Sequence, residues 1–456
     1  MPVKKKQIVQ EVEKLAGLCK NTCTFLWENP EVGGTEKKSA AYMYELLEKE
    51  GFAMSRVPQL EYAFCAEYGS GHPVIAVLGE YDALPGLSQK NDSAEKEPVV
   101  AGGPGHGCGH NMIGAASATA AIALKNVMEK EGLSGTIRFY GCPEEELLSG
   151  KVKMAYYKMF DGCDIALSWH PSSSNAVYDA SYLACAYAKF YFHGLTAHAA
   201  FAPHLGRSAL DAMELMNVGV NYLREHVIES ARIHYATDSC GFPPNIVPDK
   251  AVNWYCIRAP KMADVKSILD RIIKVAKGAA MMTETDVDVK IEHGCCEMYP
   301  NTKFADLTYD VMKNLAPPAF TSEELQFAAQ LQAALRPEAV KAEQAIYGRK
   351  EIMHTAVASR DIGKKLYMKA SSDSGDVSYL MPMNLFTVAC WPFGVAPHTW
   401  QASACAGNSI GEKATLYAAK IIAATGYELL TNTAKADEII KEFKDAKVEY
   451  APMYKD

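Results

Sequence analysis

Long apolar runs are missing from this sequence, and none approaches the ~18 residues that would suggest a membrane span. The opening residues, MPVKKKQIVQEVEKL, carry acidic residues at helical spacing instead of the apolar core of a secretory signal. An excess of positive charge is missing as well. With 46 Lys and Arg against 54 Asp and Glu, the formal net charge is -8, which argues against a nucleic-acid binder and its basic face. Internal repeats and low-complexity tracts are absent. The thirteen cysteines are an odd number scattered over a long chain, so they imply a reducing, cytoplasmic setting and no disulfide framework. Cys19, Cys163 and Cys256 read as small core residues. The glycines at 102–109 fit no G-x-G-x-x-G frame, which disfavours a nucleotide-binding oxidoreductase.

What is present is an ordinary globular composition, 49% apolar and 22% charged, on a chain of 456 residues. That length exceeds one compact core, so two domains are the default. Up to about residue 180 helices and apolar strands alternate. Residues 7–28 and 36–51 read as helices, the second ended by Gly51. PVIAVLGEYDALPG, GTIRFYGCPEEE and DIALSWHPS each run from strand into loop, and MIGAASATAAIALKNVMEKEG is a small-residue helix. The pattern predicts an α/β domain with a mostly parallel sheet and helices on both faces. Ligands then gather where loops leave the carboxyl ends of the strands.

Residues 184–298 read differently, as strand, helix, two strands, helix and strand, with 184–193 expected at the sheet edge. That βαββαβ order predicts an inserted ferredoxin-like domain. The domains are therefore 1–183 and 299–456, together the catalytic metal-binding domain, with 184–298 inserted. After 299 we expect a helix near 304–315, helical sequence without a clear place over 318–370, a strand LFTVACWP and two C-terminal helices.

Four loops carry metal-ligand residue types. GGPGHGCGHNMIG holds His106, Cys108 and His110, and the last two are spaced to share a side of an extended loop. PEEE at 143–146, His170 in SWHPS and His398 in APHTWQ supply the rest. Each residue alone has a bland reading, an isolated histidine or cysteine usually being plain packing; four such loops at strand carboxyl ends make coincidence a poor explanation. Imidazole, thiolate and carboxylate together suit a borderline divalent ion such as Zn²⁺ or Mn²⁺. Two such ions ~3.5–4 Å apart would lower the pKa of a shared water and polarise a carbonyl. A carboxylate that is not a ligand must then move the proton. On a loop neighbouring glutamates diverge, so one can bind metal while another faces substrate.

The motifs EYDALPGLSQ, GHGCGHN, GCPEEE, SWHP, GLTAHAA, PNIVPDKAVNWYCIRAP and PHTWQ together resemble the dinuclear-metal amidohydrolases of the aminoacylase and carboxypeptidase clan. The nearest branch holds the indole-acetyl-amino-acid hydrolases and, closer, the B-type subunits of p-aminobenzoyl-glutamate hydrolases. The likeness covers at least residues 10–425 and is poorest over 316–370. It implies that Cys108, His110, Glu146, His170 and His398 bind two divalent ions, Zn or Mn, and that Glu145 is the general base. It further implies that Asp82 orients a ligand histidine, whereas Glu80, standing where the clan has a ligand histidine, is the weaker ligand candidate and His106 is structural or supports a ligand from behind. Glu144 takes a position usually small in the family, and Leu147-Leu148 replaces a usual glycine pair. His198 is implied to reach across a dimer interface to the oxyanion. Asn245 and Arg258, and the loop with Ser374 and Gly375, are implied to hold the substrate.

The function expected is metal-dependent hydrolysis of the amide bond of a small N-acyl amino acid, such as p-aminobenzoyl-glutamate, by a metal-activated water with a glutamate base. The protein is expected to be a homodimer through the inserted lid and dimerisation domain, acting on a small-molecule substrate with neither nucleic acid nor membrane as partner. The rival readings are a dipeptidase or aminoacylase of other acyl preference, and a metal-binding pseudoenzyme on the same fold. Glu145 beside a full ligand set disfavours the last.

Overall fold

The run Val74–Glu80 (β3) has no polar alternation and is buried at every position, as a strand covered on both faces must be. In the computed structural model, which describes residues 3–241, 243–365, 370–446 and 449–454, β3 pairs in parallel with β4 (Gly135–Cys142) and β5 (Ile165–Leu167). Two strands that the sequence reading did not single out, β1 (Ala53–Ser55) and β2 (Phe64–Ser70), extend one edge by antiparallel pairing. The order is β1-β2-β4-β3-β5, parallel at its centre and antiparallel at that edge.

The chain divides into two units: Met1–Ala180 with Tyr299–Tyr367 and Val377–Tyr450, and Ser181–Met298 with Met368–Asp376 and Ala451–Asp456. In the first unit the helix expected over 7–28 is two, α1 (Val3–Lys14) and α2 (Ala16–Glu28), because Leu15 leaves helical geometry at ψ 7°. Helix α3 (Lys37–Lys49) stops before Gly51, whose φ of +86° is left-handed. Helix α4 (His110–Glu131) starts and ends on left-handed glycines, Gly109 and Gly132. Its small residues let it lie against β3: a Cβ on Gly114 would stand 2.8 Å from the Glu80 carbonyl oxygen, and Ser117 Oγ donates to Leu78 O at 2.7 Å. This close approach sets the first turn of α4, with His110, over the end of β3. Helix α5 (Gly150–Tyr156) follows the loop after β4.

Two short strands, β6 (His170–Ser172) and β7 (Ala176–Val177), precede the second unit. There β8 (Ala184–His193), α6 (Ala209–Leu223), β9 (Arg232–Ser239), β10 (Lys250–Ala259), α7 (Met262–Thr283) and β11 (Asp286–Cys295) follow in chain order. The strands pair antiparallel in the order β11-β8-β10-β9. This corrects the edge assignment. Residues 184–193 are an interior strand, and the edges are β9 and β11; the alternation in β8 reports one covered face, which an interior strand shows as readily as an edge.

Back in the first unit, β12 (Phe386–Ala389) lies between β6, parallel, and β7, antiparallel. The stretch 318–370 forms helices Ser322–Ala333, Pro337–Tyr347 and Arg360–Lys365, while 366–369 fall outside the described residues. Three C-terminal helices stand where two were expected, Trp400–Ala406, Ser409–Thr431 and Thr433–Asp445, with the side chains of Asn408 and Asn432 capping the second and third. Among the described residues no helix is long and apolar enough to cross a membrane, and every cysteine is a free thiol.

Candidate metal centre

The parallel register of β3 and β4 sets Glu80 beside Cys142, so the two loops leaving those strands run side by side. One carries Glu80 and Asp82, the other Glu144, Glu145 and Glu146. Gly109 turns the chain so that Cys108 and His110 enter the same space, and His170 arrives just after β5. His398 adopts φ +64°, an uncommon left-handed conformation for a side-chain-bearing residue. Its amide is fixed to Gly107 O at 2.8 Å, which ties it to the loop of Cys108.

His110 is fully buried. Its Nδ1 lies 2.8 Å from Asp82 Oδ1. Its Nε2 faces carboxylate oxygens of Glu80 at 3.5 Å, Glu145 at 3.7 Å and Glu146 at 3.9 Å. Cys108 Sγ is 3.4 Å from His170 Nε2, while His170 Nδ1 is occupied by Pro171 O at 2.7 Å. His398 Nε2 is 3.3 Å from Glu146 Oε2. Three overlapping groups have donor atoms within 4.8 Å of one another: Cys108 with His110 and His170, Cys108 with Glu146 and His398, and Glu80 with His110 and Glu145. Cys108 is common to the first two.

Burial opposes charge throughout this pocket, and the neighbours decide the outcome. Burial and the adjacent Glu146 push the Cys108 thiol well above its ordinary range. Against burial, Asp82 and Cys108 hold His110 well above the usual histidine range. Glu80 and Glu146 are held low despite burial, the first chiefly by Lys151 and the second by His398. His170 is lowered by burial and by His110.

The donor set fits a divalent cation. Among the described residues Glu80 Oε2, His110 Nε2 and Glu146 Oε1 are buried without a hydrogen-bond partner, and they converge on one space. Buried polar atoms left so are rare unless an ion or a water satisfies them. The mixed imidazole, thiolate and carboxylate donors are those of a borderline ion.

Glu144 takes no part in the convergence. Its carboxylate receives Ser149 Oγ at 2.6 Å and the Lys153 ammonium, so the loop delivers Glu145 and Glu146 to the pocket. Glu144 and Leu148 both have positive φ, +57° and +53°; Leu148 thus adopts the backbone that favours glycine although a leucine stands there. His106 Nε2 meets Leu26 O at 3.0 Å, anchoring the loop to α2, and burial lowers its pKa to about 3.

Two residues escaped the sequence reading. Lys151 on α5 is fully buried with Nζ 2.8 Å from Glu80 Oε1, so Glu80 presents only its other oxygen to the pocket. Glu36, at the N-cap of α3, is also fully buried and accepts the amide of Glu144 at 2.8 Å. Neither sits in a motif; Glu36 marked only a helix start.

The remaining candidates belong to the second unit. His198 is exposed and accepts the amides of Ala200 and Phe201 on Nδ1, at 3.3 and 3.1 Å, which leaves Nε2 as the protonated nitrogen of the neutral ring. Asn245 is its neighbour: its carbonyl accepts Ala199 N at 3.0 Å, and Ile246 bridges His198. Arg258 lies at the other end of β10, donating to Ser371 Oγ at 2.8 Å and Tyr187 OH at 3.3 Å. Residues 250 and 258 of an extended strand are separated by roughly 27 Å. His198 and Asn245 thus lie together beyond the Lys250 end of β10, and Arg258 lies at its other end. The amides of Ser374 and Gly375 are used inside their own turn, on Ser372 Oγ at 3.2 Å and Ser372 O at 3.0 Å.

A buried cluster of cation-binding donors at the carboxyl ends of parallel strands is the kind of site a metallohydrolase carries. The chain belongs to that class by descent: the model of peptidase family M20/M25/M40 matches residues 76–380, and the protein is a metal-dependent hydrolase of this family. It is 42% identical to the B-type subunit of the p-aminobenzoyl-glutamate hydrolase of Escherichia coli (strain K12), over 91% of this chain and 90% of that one. It is 26% identical to the Xaa-Arg dipeptidase of Mus musculus, over 96% and 90% respectively. Among solved structures, a dinuclear metal-binding peptidase of the M20 family from Bacillus subtilis superposes with a TM-score of 0.59 at 18% identity, covering 92% of this chain and 99% of that one.

Proposed function

We propose that this protein hydrolyses the amide bond of a small N-acyl amino acid with a free carboxylate, p-aminobenzoyl-glutamate being the first substrate to try. The reading is carried by one observation, the convergence of Cys108, His110, Glu146, His170 and His398 with Glu145 beside them. A substrate name enters through the relative that is 42% identical.

Cys108, His110, Glu146, His170 and His398 would hold two divalent ions, Zn²⁺ or Mn²⁺, which would supply Lewis acidity and an activated water. The protein supplies the rest. Asp82 fixes the His110 ring through Nδ1 and so aims Nε2. Glu145, which is buried, is the general base that takes a proton from the water and returns it to the leaving amine. Residues 1–183 and 299–456 form the catalytic domain, except that Met368–Asp376 cluster with the inserted segment, and 184–298 form a ferredoxin-like lid and dimerisation domain, a reading supported by its strand order.

The separation of His198 and Asn245 from Arg258 supports a homodimer. We read Arg258 as the carboxylate ligand of its own chain, and His198 and Asn245 as reaching the partner's site, where Nε2 donates to the oxyanion. Ser374 and Gly375 line the substrate side of the same unit as Arg258. Edge strands β9 and β11 and the exposed Leu215, Val218 and Tyr222 of α6 are the surfaces available for a two-fold contact.

The second reading, a dipeptidase, is favoured by the relative named for Xaa-Arg. One experiment separates the two: metal analysis, then rates on p-aminobenzoyl-glutamate, its C-terminal amide and an Xaa-Arg dipeptide. Cleavage of the acid but not the amide is expected. Equal cleavage of both overturns carboxylate recognition, and dipeptide preference moves the substrate to the second reading.

A further inference from the structure

Glu145 is useful as a base only if its carboxylate is held still, yet it sits on a loop between two left-handed residues, Glu144 and Leu148. The backbone on either side of it is clamped from outside the loop. Asp82 Oδ2 accepts the amide of Glu146 at 2.8 Å, and Glu36 Oε1 accepts the amide of Glu144 at 2.8 Å. The first carboxylate comes from the end of β3, the second from the start of α3. The turn before α3 also packs beneath the loop. A Cβ on Gly33 would stand 3.0 Å from Leu147 Cγ and 3.4 Å from Glu144 Cα, so the turn lies in close contact with the loop. Asp82 has a second duty on His110, whereas Glu36 holds this amide through Oε1 and keeps Oε2 buried without a hydrogen-bond partner among the described residues. A buried carboxyl with half its capacity unused is expensive to keep for stability alone.

We infer that Glu36 is a positioning residue that aims Glu145 by holding the Glu144 amide. Its hydrogen bond is to the Glu144 amide, on the backbone next to Glu145. The inference rests on Glu145 being the base. Burial, with Asp82 nearby, raises Glu36 to about 8, so glutamine is a close match in shape and charge and its carbonyl can accept the same amide. Leucine fills the space but accepts nothing.

The test measures kcat, KM and bound metal for Glu36→Gln, Glu36→Leu, Glu145→Gln and the double variant Glu36→Leu/Glu145→Gln. Glu36→Gln should stay within about threefold of wild type. Glu36→Leu should lose ~10–100-fold in kcat, since displacement of a reacting group by about 1 Å is that costly, with KM and metal content unchanged. Because Glu36 acts through Glu145, the double variant should be no slower than Glu145→Gln alone. Should Glu36→Leu not fold, Glu36→Asp, too short to reach the amide, takes its place with the same expectation. Loss of metal, a rise in KM alone, full activity, or additive losses in the double variant each overturn the positioning role. A fully active Glu145→Gln overturns instead the assignment of the base.

Discussion

The metal-site residues of the first unit and His198 with Asn245 of the second are held in opposite ways. In the first, His110, Asp82, Glu80, Cys108 and Glu145 are all buried; neighbours hold the His110 ring and the Glu80 carboxylate, and Asp82 holds the Glu146 amide. In the second, His198 and Asn245 are exposed, and their hydrogen bonds run to their own turn. The difference separates two tasks. Metal ligands must be assembled before the ion arrives, because charges brought together in a buried space repel unless the fold forces them. Groups that serve a transition state, or another subunit, need only be presented. His398 stands between the cases: its side chain is 55% exposed, but its backbone is locked to the Cys108 loop.

The largest effect expected from that comparison is at Glu145. Glu145→Gln keeps its neighbours and removes only the proton acceptor, so bound metal should persist while kcat falls ~10²–10⁴-fold. Metal loss in step with activity would reassign Glu145 as a ligand of the Glu80 and His110 group. Asp82→Asn should act next most strongly and on a different quantity, since it touches the ring that must point Nε2. Metal affinity is expected to drop ~10–100-fold, with activity restored by excess ion. Unchanged affinity in a competition titration would deny Asp82 its orienting role.

Much of this first site was legible because metal chemistry limits the residue types. Cys108, His110, Glu146, His170 and His398 are ligand types in four strand-end loops, and the structure gathers their donor atoms with those of Glu80 and Glu145; strands as apolar as β3 declare themselves. Glu36 and Lys151 were not legible, because their neighbours are distant in sequence: Glu36 meets Glu144, and Lys151 meets Glu80. Strand β8 misled for a related reason. Its alternation tells how many faces are covered and is silent about how many neighbours pair with it. The short strands β1 and β2, and the break at Leu15, depend on packing that no local pattern announces.

A smaller effect tests whether the exposed group of the second unit serves a partner. Separate samples of His198→Ala and Glu145→Gln should each be nearly inactive. Allowed to exchange subunits, they should form mixed dimers with one intact composite site, recovering at most roughly a quarter of the wild-type sites. Size-exclusion chromatography must first show the dimer and the exchange. No recovery after proven exchange would place His198 in the service of its own chain.

The smallest expected effect concerns what the first unit gives up to bury its clamps. Glu36 ionises near 8 in the fold because burial and Asp82 oppose its charge, and near its ordinary carboxylate value once unfolded. Between those limits the folded chain keeps a proton that the unfolded chain has lost, so rising pH favours unfolding. Below the unfolded value both states are protonated and nothing is lost. Glu36→Gln cannot ionise and escapes the slope, so its stability relative to wild type should be lowest at acid pH and grow as pH rises through 5 and above. The linkage limit is ~1.4 kcal/mol per pH unit; relaxation of the site makes roughly 1–2 kcal/mol between pH 5 and 7 the realistic gap. Urea unfolding of chelator-treated protein measures it without bound ions shifting the carboxyl. A gap that stays constant from pH 5 to 8 would mean that Glu36 is ionised in the fold, and that the clamp on Glu144 is a charged one.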